Sequence, residues 1–143
     1  MKDLRTIILA AGKGTRMNSG MPKVLHTVCG VPIIQYVLDI AKALGSLKTY
    51  VVLGHKSGDV KGMLDDQIIC VEQAKLLGTA DAVKCTENYL KSYRGDVLIL
   101  CGDTPVLNQS TVKRLVQKHK RSKAACTFLT AVVNSPKVYG RII

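Results

Sequence analysis

The chain has no tryptophan and a single phenylalanine, so aromatic side chains make up only 4% of its 143 residues. Proteins that grip single-stranded nucleic acid stack bases on aromatic platforms, and five scattered tyrosines beside that phenylalanine offer little of the kind. No apolar run nears the roughly 20 residues that a membrane span needs. Residues 1–12 carry Lys2 and Arg5 ahead of Ile7, Ile8 and Leu9. Lys13 and Arg16 then stand where a secretory signal would place small residues for cleavage. The five cysteines are odd in number, sit mostly in apolar runs and form no C-x-x-C pair. That argues against a disulfide frame or a zinc site and makes a reducing cytoplasm the expected compartment.

Acidic residues are also scarce: 10 Asp and Glu face 21 Lys and Arg, a net charge of +11. The excess implies attraction to anions, whether nucleic acid, a membrane surface or a phosphorylated small molecule. The positives form no single tract. The densest group, Lys113 to Lys123, follows a helical pattern with its cations gathered at the C-terminal end, where they complement the helix dipole on a solvated face. Net charge alone does not choose the partner. At 47% hydrophobic and without low-complexity blocks, the length suits one globular domain with a real core.

Short β-branched runs alternate with amphipathic stretches. Residues 6–10, 49–53, 68–71, 97–101 and 127–133 read as strands, each a continuous apolar run of the type covered on both faces. Ile33, Ile34, Val37, Ala41 and Leu44 fall on one helical face, with Asp39 and Lys42 outward and Gly45 as the stop. A second helix is predicted from Thr79 to about Leu90, with Ala80, Val83, Glu87 and Leu90 in line. A third begins near Gln109 with Ser110 as N-cap, and a weaker one spans residues 57–64. Strand alternating with helix predicts an α/β, Rossmann-like, doubly wound and mostly parallel sheet. Such sheets bind ligands beyond the carboxyl ends of their strands. Gly12-Lys13-Gly14-Thr15-Arg16, Glu72-Gln73 and Gly102-Asp103 follow strands in that way. Tyr139-Gly140-Arg141-Ile142 reads as the start of a further strand, so the chain is expected to be a truncated portion of a longer domain.

The glycine turn fits neither common phosphate motif. The dinucleotide pattern G-x-G-x-x-G would need glycine at Met17. The P-loop would need glycine at Ile7 and a hydroxyl at Gly14. Small residues here nevertheless let a ligand approach the backbone closely, and free N–H groups suit phosphate oxygens. Arg16 adds a forked donor and Lys23 a point charge, which together suit a triphosphate whose charge grows on a leaving pyrophosphate.

LAAGKGTRMNSGMPKVL (residues 9–25) followed by HTVCGVPIIQYVLD (26–39) resembles the opening of the sugar-1-phosphate nucleotidyltransferases. Gln73, LGTADA (77–82), CGDTPVL (101–107) and YGRI (139–142) extend the likeness over essentially the whole chain. It is most similar to the uridyltransferase half of the bifunctional N-acetylglucosamine-1-phosphate uridyltransferase/glucosamine-1-phosphate acetyltransferases. The resemblance implies that Leu9, Ala10, Ala11, Gly12 and Gly14 lie against the nucleotide, that Gln73 reads the uracil edge, and that Gly78 and Thr79 close on the nucleoside. It implies Arg16, Lys23 and Asp103 as catalytic residues, with Asp103 holding Mg2+ and Lys23 also touching the nucleotide. Cys101, Gly102 and Gly140 are implied at the acceptor sugar. The reaction implied is UTP plus N-acetylglucosamine 1-phosphate giving UDP-N-acetylglucosamine and pyrophosphate, by in-line attack on the α-phosphorus. The partners implied are those two substrates, with no nucleic acid and no membrane. A covalent enzyme intermediate is not needed, in keeping with scattered His26, His55 and His119 and no nucleophile elbow.

The sequence departs from the resembled pattern at two positions. Cys101 stands where tyrosine is common, and Leu76 where a second glutamine is frequent. The resembled enzymes also carry a second metal ligand, further sugar contacts, and a β-helical acetyltransferase domain that makes homotrimers, all beyond residue 143. Residues 1–143 are thus expected to be the N-terminal portion of one nucleotidyltransferase domain. By themselves they are expected to bind nucleotide weakly and to turn over poorly. Alternatives left open are a related nucleotidyltransferase with another sugar- or polyol-phosphate acceptor, and a catalytically silent nucleotide-binding module.

Overall fold

The computed structural model describes residues 3–12, 14, 17–54 and 57–134. Arg16, His55 and Gly140 lie outside them, as does the YGRI block.

Four strands form one sheet: β1 (Leu4–Ala10), β4 (Lys48–Gly54), β5 (Ile69–Gln73) and β6 (Asp96–Cys101), ordered β5-β4-β1-β6. All three pairings are parallel. Ile8 sits opposite Val51 and Leu100, and Leu53 opposite Glu72. The apolar runs of β1 and β4 explain their central places, because each buries side chains on both faces. On one face Ile8, Val51, Leu53, Leu98 and Leu100 pack against α1 (Ile33–Ala43) and α5 (Gln109–Ser122). On the other, Ile7, Tyr50, Val52 and Val71 pack against Ala82 of α3 (Thr79–Lys84). The sheet is doubly wound, as its pattern predicts.

The chain runs outward from β1 to β4 to β5, then crosses back to lay β6 on the far side of β1. The strand order therefore reverses at β1 and β6. In open α/β sheets the crevice beyond the carboxyl ends at such a reversal is where ligands bind.

A two-stranded hairpin precedes α1, with β2 (Thr27–Val28) paired antiparallel to β3 (Val31–Pro32). Its turn residues Cys29 and Gly30 both have positive φ, the backbone of a tight hairpin turn. The Tyr36 hydroxyl donates to the Val28 carbonyl at 2.7 Å, and Ile33 N–H donates to the His26 carbonyl at 2.9 Å. Those bonds fasten the hairpin to α1. A short 3-10 turn at Lys23–Leu25 buries Val24 in the core beside it.

Several expectations are corrected. Residues 127–133 form no strand. Phe128, Leu129, Val132 and Val133 are exposed, and no described residue offers that run a ladder partner. β propensity records how a side chain fits a half-buried pleated surface, and no described residue sets such a surface against this run. The predicted long helix from Thr79 is two: α3, then α4 (Glu87–Leu90), parted where the Thr86 hydroxyl donates to the Val83 carbonyl at 2.7 Å. A threonine hydroxyl competing for backbone carbonyls is one cause of such breaks. Ala82, not Ala80, is the buried alanine of α3. The candidate at 57–64 shrinks to α2 (Gly58–Lys61). The N-cap of α5 is Asn108, whose Oδ1 accepts from Ser110 N–H at 2.8 Å, so Ser110 is already inside the helix. Lys113, Arg114, Lys118 and Arg121 are exposed on α5, as the charge pattern predicts.

Candidate functional site

A cleft of about 290 Å³ opens at the carboxyl ends of the strands, on the α3 side of the sheet. Leu9 and Ala10 end β1 at its floor, and Ala11 and Gly12 carry the backbone along its edge. Gln73, the last residue of β5, forms one wall, with Gly78 and Thr79 at the head of α3 and Leu76 before them. Cys101, Asp103 and Lys23 form the opposite rim. Ten of the residues singled out from sequence thus meet in one place: Leu9, Ala10, Ala11, Gly12, Lys23, Gln73, Gly78, Thr79, Cys101 and Asp103.

The rim holds the main charged contact. Lys23 Nζ donates to Asp103 Oδ2 at 2.7 Å, across 80 residues of sequence. Both side chains are about one-third exposed or more, at 34% and 40%. An ion pair that wet contributes only about 0–1 kcal/mol to folding, so its geometry says more about function than about stability.

Each partner is aimed by its own backbone. Gly102 N–H donates to the Leu9 carbonyl at 2.8 Å, tying the exit of β6 to the end of β1. A Cβ on Gly102 would lie 3.0 Å from that same carbonyl oxygen and 3.3 Å from Ala10, so only glycine passes there without a shift. The Thr104 hydroxyl closes the following turn by donating to the Cys101 carbonyl at 2.7 Å. The Asp103 carboxylate is therefore free of turn-capping duty and reaches Lys23. Lys23 is held by the burial of its neighbour Val24.

Gly14 does not line the cleft but backs Lys23. Its φ is +60°, and a Cβ there would stand 2.7 Å from Lys23 Cβ. A left-handed backbone costs an ordinary residue about 1–2 kcal/mol. Gly14→Ala is expected to lower unfolding free energy by at least that much and to displace Lys23, as read by denaturant melts. An unchanged midpoint would show that the loop relaxes freely.

Gln73 is only 3% exposed. Its Nε2 donates to the Gly78 carbonyl at 3.1 Å and to Asp81 Oδ2 at 2.8 Å. A buried amide meets its hydrogen-bonding needs in this way. Thr79 makes no capping bond; Gly78 is the N-cap of α3 and no side chain caps it. The Thr79 hydroxyl is thus spared for the cleft it lines.

Burial around its sulfur, and then the Asp103 charge, push the Cys101 thiol up from its usual range. Cys101 stays a thiol at neutral pH and presents no nucleophile. His26 does not line the cleft, and its Nε2 is buried without a partner among the described residues. His119 stands at the other end of the sheet, with Nδ1 2.9 Å from the Thr127 hydroxyl and Nε2 3.6 Å from Asp96 Oδ1. None of the described groups makes a nucleophile–base pair in the cleft.

Sequence reasoning did not assign Val24, Leu76 or Ala82 to the cleft, though all three line it. It also passed over Asp81, whose place in the LGTADA block, one helical turn from Gly78, was the available signal.

The MobA-like NTP transferase domain family matches this chain over residues 6–141. The bifunctional protein GlmU of Shouchella clausii is 46% identical over 137 residues, which cover 96% of this chain and 30% of that protein. The chain accordingly spans about 30% of the length of the curated relatives it matches. Among solved structures, the UDP-glucose pyrophosphorylase of Acinetobacter baumannii superposes with a TM-score of 0.72 at 20% identity, covering 85% of this chain and 54% of that one. The inositol-1-phosphate CTP transferase of T. maritima gives 0.60 at 27% identity, covering 69% and 43%.

Proposed function

Because the chain belongs to the MobA-like NTP transferase domain family, we propose that it transfers the uridylyl group of UTP to N-acetylglucosamine 1-phosphate, releasing pyrophosphate. The observation that carries this reading is the convergence of Gln73, Lys23 and Asp103 on one cleft beside the bare backbone of residues 9–12. Nothing in their spacing along the chain would bring them together unless the sheet did so. The likeness to GlmU proteins, over 96–99% of this chain and 30% of theirs, favours uridylyl transfer to an amino-sugar phosphate over other members of the family.

The parts have separable tasks. The apolar floor and Gln73 take the nucleoside, and the triphosphate then extends toward the rim. A phosphate oxygen of the sugar attacks the α-phosphorus in line. A new P–O bond forms there as the bond to the β-phosphate breaks, and its electron pair leaves with pyrophosphate. Positioning and charge stabilisation carry such a reaction, with no covalent work for the protein. Lys23 exchanges Asp103 for a phosphate oxygen, and Arg16 is assigned beside it from the sequence block.

The described residues include no cluster of three His, Cys, Asp or Glu side chains. A lone hard carboxylate at a cleft mouth still fits Mg2+, which keeps several waters and leans on substrate phosphates for its other ligands. Asp103 would hold it. When bound, Mg2+ neutralises charge on the phosphates through the transition state.

We assign residues 1–143 to the N-terminal portion of one nucleotidyltransferase domain. In the full-length protein the remainder of that domain would follow, and a β-helical acetyltransferase domain would make the homotrimer. The test is nucleotide-dependent stabilisation and pyrophosphate release in the full-length protein. UTP with Mg2+ is expected to raise the melting temperature, and adding N-acetylglucosamine 1-phosphate to release pyrophosphate. Stabilisation by GTP alone would contradict the reading.

A further inference from the structure

We propose that Asp81 selects the nucleobase by fixing which end of the Gln73 amide faces the cleft, so that the site takes a base with a ring N–H donor. This deepens the nucleotide reading above and rests on it.

An amide group offers two N–H donors at one end and one acceptor oxygen at the other, and the two ends have nearly the same shape. Their orientation must come from their neighbours. Here both neighbours are acceptors: the Gly78 carbonyl at 3.1 Å and the Asp81 carboxylate at 2.8 Å. Two oxygens can be satisfied only by the two hydrogens of Nε2. Turning the amide over would set Oε1 against both sets of lone pairs and strand a nearly buried residue. The donor end is thus fully used and unavailable to a ligand.

Oε1 is what remains. No described residue donates to it, and it is not among the buried polar atoms left without a partner. Because Gln73 lines the cleft and is otherwise enclosed, the free oxygen is the part of it that a ligand meets. An acceptor fixed there pairs with the N3–H of uracil. Cytosine presents a lone pair at N3, and the two oxygen and nitrogen lone pairs would oppose each other. The family resemblance implies only that Gln73 reads the uracil edge; the hydrogen bonds of Nε2 leave it the acceptor alone.

Asp81 is a positioning residue, since it acts through Gln73. It is half-buried in a short helix that Ala82 anchors in the core. Replacing it should therefore change selection more than folding.

The experiment is equilibrium binding of UTP and of CTP, each with Mg2+, to the full-length protein and to Asp81→Asn, Asp81→Ala and Asp81→Glu. A site with a mismatched polar group typically discriminates by about 10- to 100-fold, so the parent protein should favour UTP by about that much. Asp81→Asn can offer its own N–H to a reversed Gln73, and the preference for UTP over CTP should fall to a few-fold, with CTP binding improved. Asp81→Ala removes one of the two acceptors and should lower the ratio part of the way; Asp81→Glu, which keeps a carboxylate, should restore it. A merely structural role would weaken both nucleotides alike and leave their ratio untouched, and that result overturns the proposal. A parent protein that binds UTP and CTP equally overturns it as well while sparing the nucleotide site. Binding of neither overturns both readings together.

Discussion

Asp103→Asn is expected to lower pyrophosphate release by about 100- to 1,000-fold, the range seen when a group that stabilises transition-state charge is removed. Asparagine keeps the shape of the side chain and an acceptor for Lys23, but it loses the negative charge that a hard cation needs. The same change should leave folding nearly intact. The pair it disrupts is well exposed, and exposed pairs contribute about 0–1 kcal/mol. Binding of Mn2+ with UTP, followed by electron paramagnetic resonance, should weaken in parallel with turnover. Activity that survives the substitution would remove Asp103 from the metal role.

Lys23→Met should produce the opposite sign at the metal and a loss at the nucleotide. The Lys23 ammonium lies 2.7 Å from the carboxylate oxygen that a cation would use. Taking that positive charge away frees Asp103, so Mn2+ affinity in the absence of nucleotide should rise. UTP affinity should fall by about 10- to 100-fold, because a hydrogen bond to a charged partner is worth about 1.5–3 kcal/mol. The two substitutions therefore form a crossed pair: one weakens the cation site and the other strengthens it, while both depress turnover. A pair whose only task was to hold the loops together would change both readouts in the same direction, through stability alone.

The strong helical period of residues 33–44 and the unbroken apolar runs of β1 and β4 were legible in the sequence because burial on both faces leaves no room for ambiguity. Less of β6 was legible. Its run looks as continuous as the others, yet Val97 and Ile99 are 40% and 47% exposed, because no described residue covers that face at this edge of the sheet. Residues 127–133 fail for the related reason that a propensity for strand needs a partner to express it. The break at Thr86 and the cap at Asn108 turn on single side-chain hydrogen bonds, which periodicity does not register. At the site, places after strands pointed to the glycine turn, Gln73 and Asp103, and the family resemblance implied Leu9, Gly78, Thr79 and Cys101. The Lys23–Asp103 contact and the Asp81–Gln73 contact are matters of three-dimensional approach, and only the fold shows them. Arg16 and Gly140 lie outside the described residues, and their proposed roles rest on the family resemblance of their sequence blocks.

A nucleoside triphosphate entering between β1, β5 and β6 is expected to part Lys23 from Asp103. A crystal structure of the full-length protein with UTP and Mg2+ tests it most directly. The uracil is expected at Gln73, a phosphate oxygen within hydrogen-bond reach of Lys23 Nζ, and the cation on Asp103. UTP bound elsewhere, or bound in the cleft with the 2.7 Å Lys23–Asp103 contact intact, would contradict it.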